Sequence, residues 1–106
     1  MLTEKDYCDK DTAFALQELG YNPYMFYDDG TPVIHLWDAQ KWLRESKKII
    51  VLVGFDFCPI TSEIVYNWVI VVNGNTAKKS SYTYDYFEEA LLEGVKCAVK
   101  ILKENE

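Results

Sequence analysis

The chain has 106 residues, 49% of them apolar and 15% aromatic, which suits a single domain with one core and excludes intrinsic disorder. Seventeen acidic residues against eleven basic ones give a net charge of −6, the wrong sign for gripping a nucleic-acid backbone, so direct nucleic-acid binding is not expected. The three cysteines, Cys8, Cys58 and Cys97, have no short spacing between any two, which argues against a disulfide framework and for reduced thiols.

The first predicted helix runs from about Asp9 to Leu19, with Asp9 or Asp11 supplying negative charge at its start, Ala13, Leu16 and Leu19 turned inward, and Gly20 as its stop. Tyr24–Tyr27 reads as a short aromatic strand. Asp28-Asp29-Gly30-Thr31-Pro32 is turn chemistry before the brief Val33–Ile34 segment, so a small irregular hairpin is expected there. A second amphipathic helix follows from about Leu36 to Ser46, with Leu36, Ala39 and Leu43 on one face and Trp42 flanking it.

Ile49–Phe55 is rich in β-branched residues and apolar on both alternating sets, the pattern of a strand in a sheet interior, and Cys58-Pro59 ends it. In the next strand, Glu63–Val72, one face carries Ile64, Tyr66, Trp68, Ile70 and Val72, and the other carries Glu63, Val65, Asn67, Val69 and Val71. Asn73-Gly74 reverses the chain, and Lys78–Tyr84 is expected to return as an edge strand guarded by paired lysines. The last helix is predicted to be capped by Asp85 with Glu88 completing a capping box. Phe87, Ala90, Leu91, Gly94, Val95, Ala98 and Leu102 form its apolar stripe, and Gly94 reads as a point of close approach to the sheet.

These elements predict one α+β domain over residues 1–106: an antiparallel sheet of three to four strands with helices mainly on one face, in the order α-β-(β)-α-β-β-(β)-α. Met1–Leu2 is followed at once by Thr-Glu-Lys-Asp, and the apolar runs Ile49–Phe55 and Trp68–Val72 are too short to cross a bilayer. A cytoplasmic location without membrane association is therefore expected.

Three segments together resemble a known family: Tyr27-Asp28-Asp29-Gly30-Thr31-Pro32, Lys41-Trp42-Leu43-Arg44-Glu45, and Glu88-Glu89-Ala90-Leu91-Leu92-Glu93-Gly94-Val95-Lys96. The family comprises small uncharacterised proteins of Bacteroides-type gut bacteria, their prophages and mobile elements. The resemblance spans about Lys5 to Leu102 and rests on caps, turns and amphipathic faces. It implies a setting, an accessory protein of a mobile element in a bacterial cytoplasm, and carries no catalytic residue or cofactor onto this chain.

Cys58 is the candidate nucleophile, at a turn between strands and flanked by Thr61 and Ser62. Asp56 and Glu63 are expected to raise its pKa, and the sole histidine, His35, reads as a helix-end residue, so Cys58 is read as a small turn residue. Cys8, His35, Cys58 and Cys97 lack ligand spacing, Asp28-Asp29-Gly30 lacks the later oxygen ligands of a calcium loop, and the five glycines stand alone. No metal, cofactor or nucleotide site is expected. Tyr24, Tyr27, Tyr82, Tyr84 and Tyr86 read as rings covering the edges of a small core, with protein contact as their functional reading.

A non-enzymatic protein-interaction module is therefore the leading reading. Its expected surface is the second sheet face, Ile50, Leu52, Val65, Val69 and Val71, which in a sheet with helices on one side needs cover from the chain itself, a homodimer or another protein. The alternatives are an acidic mimic of DNA that inhibits a nucleic-acid-binding protein, motivated by seven acids in the first thirty residues, and a small enzyme using Cys58.

Overall fold

Local chemistry starts each of the first two helices in the computed structural model, which describes residues 4–105. Asp9 accepts a hydrogen bond from the Thr12 amide at 2.9 Å and opens α1 (Lys10–Glu18), and Gly20, at φ 112°, lets the chain turn away after it. His35 opens α2 (Leu36–Ser46) through its Nδ1, which accepts from the Trp37 amide at 3.1 Å. The segments ahead of these helices are tied together by the Cys8 amide donating to the Ile34 carbonyl at 2.8 Å.

The sheet is an antiparallel meander of β1 (Ile49–Phe57), β2 (Ile64–Val72) and β3 (Asn75–Lys79), in that spatial order. Ile50 lies opposite Val71 and Leu52 opposite Val69. The predicted α+β architecture with helices on one face is what forms: α3 (Phe87–Glu104) crosses β1 and β2, and α2 packs beside it on β1. Ile49, Val51, Trp68 and Ile70 meet Leu43, Leu91, Val95 and Ala98 in one core, while α1 joins by packing against α3.

Several local expectations are corrected. Tyr24–Tyr27 and Val33–Ile34 form no strands; the loop is closed by a single Phe26–Pro32 bridge and by turn bonds such as Tyr27 N–H to Thr31 O at 2.8 Å. β3 begins at Asn75 rather than Lys78, because Asn73 and Gly74 both adopt positive φ, and a two-residue turn of that kind pairs its flanking residues at once. The strand ends at Lys79; beyond it the Ser80 amide donates to the Trp68 carbonyl at 2.9 Å and Tyr84 bridges back to Tyr66. Asp85 does not cap α3: the helix starts one residue later, Tyr86 is the N-cap without a side-chain bond, and Glu88 falls too early for a capping box. Val99 joins the buried stripe, whereas Phe87 and Leu102 are only half-buried.

Gly94 is where helix and sheet come closest. A Cβ there would stand 2.6 Å from Val51 Cγ1 and 3.2 Å from Trp68 Cβ, so only a hydrogen fits between the helix and the sheet. Gly94→Ala should gain up to ~1 kcal/mol of helix propensity and lose more to overpacking, typically ~1–3 kcal/mol. A net destabilisation is expected on urea denaturation, partly relieved when combined with Val51→Ala in a double-mutant cycle. Leu91→Ala, emptying the same seat, should cost ~2–5 kcal/mol.

Candidate functional site

The sheet face away from the helices carries the five predicted interface residues. Ile50, Leu52, Val65, Val69 and Val71 all lie outside the core cluster, four half-buried and Leu52 50% exposed. The paired register sets Ile50 against Val71 and Leu52 against Val69, so the four make a continuous aliphatic patch, with Val65 further toward the β1–β2 turn. Beside them, Asn67 lies over Gly54: a Cβ on Gly54 would meet Asn67 Oδ1 at 2.8 Å. No helix or strand among the described residues packs over this face.

The other face of the β1–β2 hairpin is also bare at its far end. Trp37 stacks on Phe87 with centroids 5.4 Å apart, and Tyr66 meets Phe87 edge-on at 5.9 Å; these rings form the lip of the helix layer. Beyond that lip Phe55, Phe57 and Ile64 are largely exposed, although they share a face with buried Val51 and Trp68, and Ile60 in the turn is 90% exposed. Ile64 thus stays half-exposed although it belongs to the same alternating set as buried Trp68 and Ile70. The projecting hairpin contributes to a radius of gyration of 14.2 Å, against ~13 Å for a chain of this length.

Cys58 sits in the hairpin turn, its amide donating to the Glu63 carbonyl at 2.8 Å. Its thiol is held below the ordinary value by hydrogen bonding from the Thr61 side chain, then from the Thr61 and Ile60 amides, which outweigh the charge of Glu63. The expected upward shift is therefore corrected: the carboxylate effect is present but smaller than that of the loop's donors. Burial instead pushes Cys8 up to about 12 and raises Cys97 as well. His35 packs edge-on against Tyr7 at 5.4 Å in its capping role, in surroundings separate from the hairpin turn. Among the described residues no three His, Cys, Asp or Glu side chains converge as a metal-binding set.

A cleft of about 520 Å³ lies between residues 4–10, the 27–31 turn and the head of α3. Its charged lining is mainly acidic, with Lys10 4.0 Å from Asp29. The buried Thr31 hydroxyl lies near the Asp29 carboxylate and helps hold it below its ordinary value, without a bond of hydrogen-bond geometry to any described group. The tyrosines do not form one strip: Tyr84 receives a bond from Trp68 Nε1 at 3.3 Å, Tyr86 lies 3.4 Å under the Lys5 ammonium, and Tyr24 and Tyr82 face solvent. No helix among the described residues is long and apolar enough to cross a membrane.

Comparison with protein-family models, with curated proteins and with solved structures finds no match. The site is therefore read from its own chemistry. Alkylation by iodoacetamide at mildly alkaline pH should modify Cys58 well before Cys8 or Cys97, with a pH midpoint below that of a free thiol. Thr61→Val should slow that reaction and move its midpoint up, as read by peptide mass spectrometry.

Proposed function

We propose that this chain is a non-enzymatic protein-interaction module, working through the open sheet face of Ile50, Leu52, Val65, Val69 and Val71. One observation carries the reading: five aliphatic side chains share a face that no described helix or strand covers, in a domain whose core is otherwise well filled. A half-solvated antiparallel sheet ordinarily alternates apolar with polar residues; on β1 and β2 this one does so only at Asn67 and toward the hairpin turn, while Thr76 and Lys79 of β3 border the patch. With a chain charge of −6, the fitting partner is a protein with an aliphatic centre and a positively charged rim. The family resemblance supplies the setting, an accessory protein of a mobile element or prophage in a bacterial cytoplasm.

The alternatives have less behind them. Of the seven acids that motivate mimicry of nucleic acid, Asp9, Glu18 and Asp29 each lie within ion-pair distance of a lysine of this same chain: Lys96, Lys103 and Lys10. The thiol of Cys58 has donors that favour its ionised form, but the sole histidine is engaged at the start of α2, where its Nδ1 accepts from the Trp37 amide.

A photo-crosslinking residue placed at Leu52 or Val69 in cells should trap one defined protein that the same probe at Lys41, on the outer side of α2, does not. Val69→Thr combined with Val71→Lys should abolish co-purification of that protein while changing stability by no more than ~1 kcal/mol, the span of strand propensities. A double variant that unfolds would show the face to be internal core. One that folds and retains the partner would place the interface elsewhere.

A further inference from the structure

The two edges of the sheet are built differently. The outer edge of β3 is five residues long, ends in Lys78-Lys79 and follows a register irregularity at Ile70–Val71, all features that discourage further strand pairing. The outer edge of β1 is nine residues long, with no lysine, arginine or proline and with Asp56 as its one charge. The direction of its main-chain groups can be read off two bonds. The Val51 carbonyl accepts from Gln40 Nε2 of α2 at 2.7 Å and so points away from β2, whereas the Cys58 amide points into the hairpin toward Glu63. By alternation, Val53, Phe55 and Phe57 present their amides and carbonyls outward, along the same projecting segment that leaves Phe55 and Phe57 exposed.

The geometry points to a second copy of this chain as the occupant of that edge, its β1 pairing antiparallel with this β1 about a two-fold axis at Phe55, to give one continuous six-stranded sheet. This interface uses the sheet's edge and shares only Leu52, at the edge strand, with the face proposed for a partner. In this register Val53 lies opposite Phe57 of the second copy and Phe55 opposite its counterpart, which allows about six main-chain hydrogen bonds. The Phe57 amide, held in the single chain by the exposed Asp56 carboxylate at 2.8 Å, turns to the Val53 carbonyl of the second copy.

The register also ends where the chemistry runs out. The next position pairs Val51, whose carbonyl Gln40 already occupies, with Pro59, which has no amide to donate. Asp56 falls opposite Gly54 rather than opposite another carboxylate, so like charges do not face each other.

Area and charge favour a second copy. Leu52, Phe55, Phe57, Ile60 and Ile64 together expose on the order of 600 Å², given the ~150–250 Å² carried by each aromatic ring, and the paired edge adds to this, approaching the ~800 Å² per partner of a standard interface. From Val53 to Val65 the only charged residues are Asp56 and Glu63, so the −6 of the whole chain is mostly remote from the contact.

The register supplies a direct test. Leu52 falls opposite Cys58 of the second copy as a non-hydrogen-bonded pair, with Cα atoms ~4.5 Å apart, inside the range that a disulfide spans. Under mild oxidation the Leu52→Cys variant should become a covalent dimer whose linked peptides join position 52 to Cys58. Adding Cys58→Ser should abolish the product, and the wild type should give none, because the two native Cys58 residues are out of register. Light scattering from about 1 µM to about 500 µM should show the wild-type mass doubling. Phe55→Pro, which removes an outward amide without touching the β1–β2 ladder, should keep the mass monomeric with unchanged circular dichroism. If that variant unfolds, Phe55→Lys tests the same edge and should also stay monomeric. A wild type that remains monomeric throughout overturns the proposal, as does a dimer that survives both Phe55 variants. A dimer lost through Val69→Thr with Val71→Lys instead would mean that two copies meet face to face, which equally overturns it.

Discussion

The contact of Gly94 with Val51 and Trp68 governs how this domain is arranged. With a side chain at that point, α3 would be held off the sheet by the width of a methyl group, and Leu91, Val95 and Ala98 could not reach Ile49 and Ile70. Once α3 lies directly on β1 and β2, α2 has a groove beside it and α1 has a helix to lean on. The ion pairs from Lys96 to Asp9 at 2.9 Å and from Lys103 to Glu18 at 2.7 Å then hold α1 along α3; being partly exposed, they contribute less than the apolar contact beneath them. All helical cover is spent on one side, which is why the other side stays open.

The second consequence is one of length. Nine-residue strands reach ~30 Å, and the helix layer stops at the rings of Trp37, Phe87 and Tyr66 before the hairpin does. Phe55, Phe57 and Ile64 therefore continue the core stripe past the point where there is anything to pack against. Apolar surface is thus left on the open face and on the overhanging hairpin, two surfaces that adjoin through β1 and β2, and separately on the Tyr24–Tyr27 loop.

Elements defined by their own residues were legible in the sequence. The bounds of α2, the inward residues of α1, the facing sets of β1 and β2, and the close approach at Gly94 all follow from periodicity and from the special chemistry of glycine. What could not be read is whatever depends on where another element ends. Ile64 has the same place in its alternation as Trp68 and Ile70, and only the reach of α3 decides that one is bare and the others buried. Asp85 against Tyr86 as the cap turns on one residue of helix start, a distinction that spacing alone does not make. The electrostatics of Cys58 reversed because Thr61 and its neighbouring amides fold back onto the sulfur, a loop geometry that charge counting along the sequence does not contain. Alternation places Ile50, Leu52, Val65, Val69 and Val71 on one face, but which elements cover that face is a property of the whole fold.

Placing α3 at the centre of the packing also sets the order in which the protein can be completed as it is made. α3 is translated after every other described element, and it is the surface onto which the sheet and both earlier helices close. At synthesis rates of ~5–20 residues per second, the roughly thirty residues between the end of β2 and the end of α3 take a few seconds to appear. Throughout that interval the β-meander has neither of its apolar faces covered by α3. The nascent domain is thus most exposed to chaperones and to neighbouring nascent chains until α3 has emerged, and that helix is the closing step of the domain's packing as well as the centre of its core.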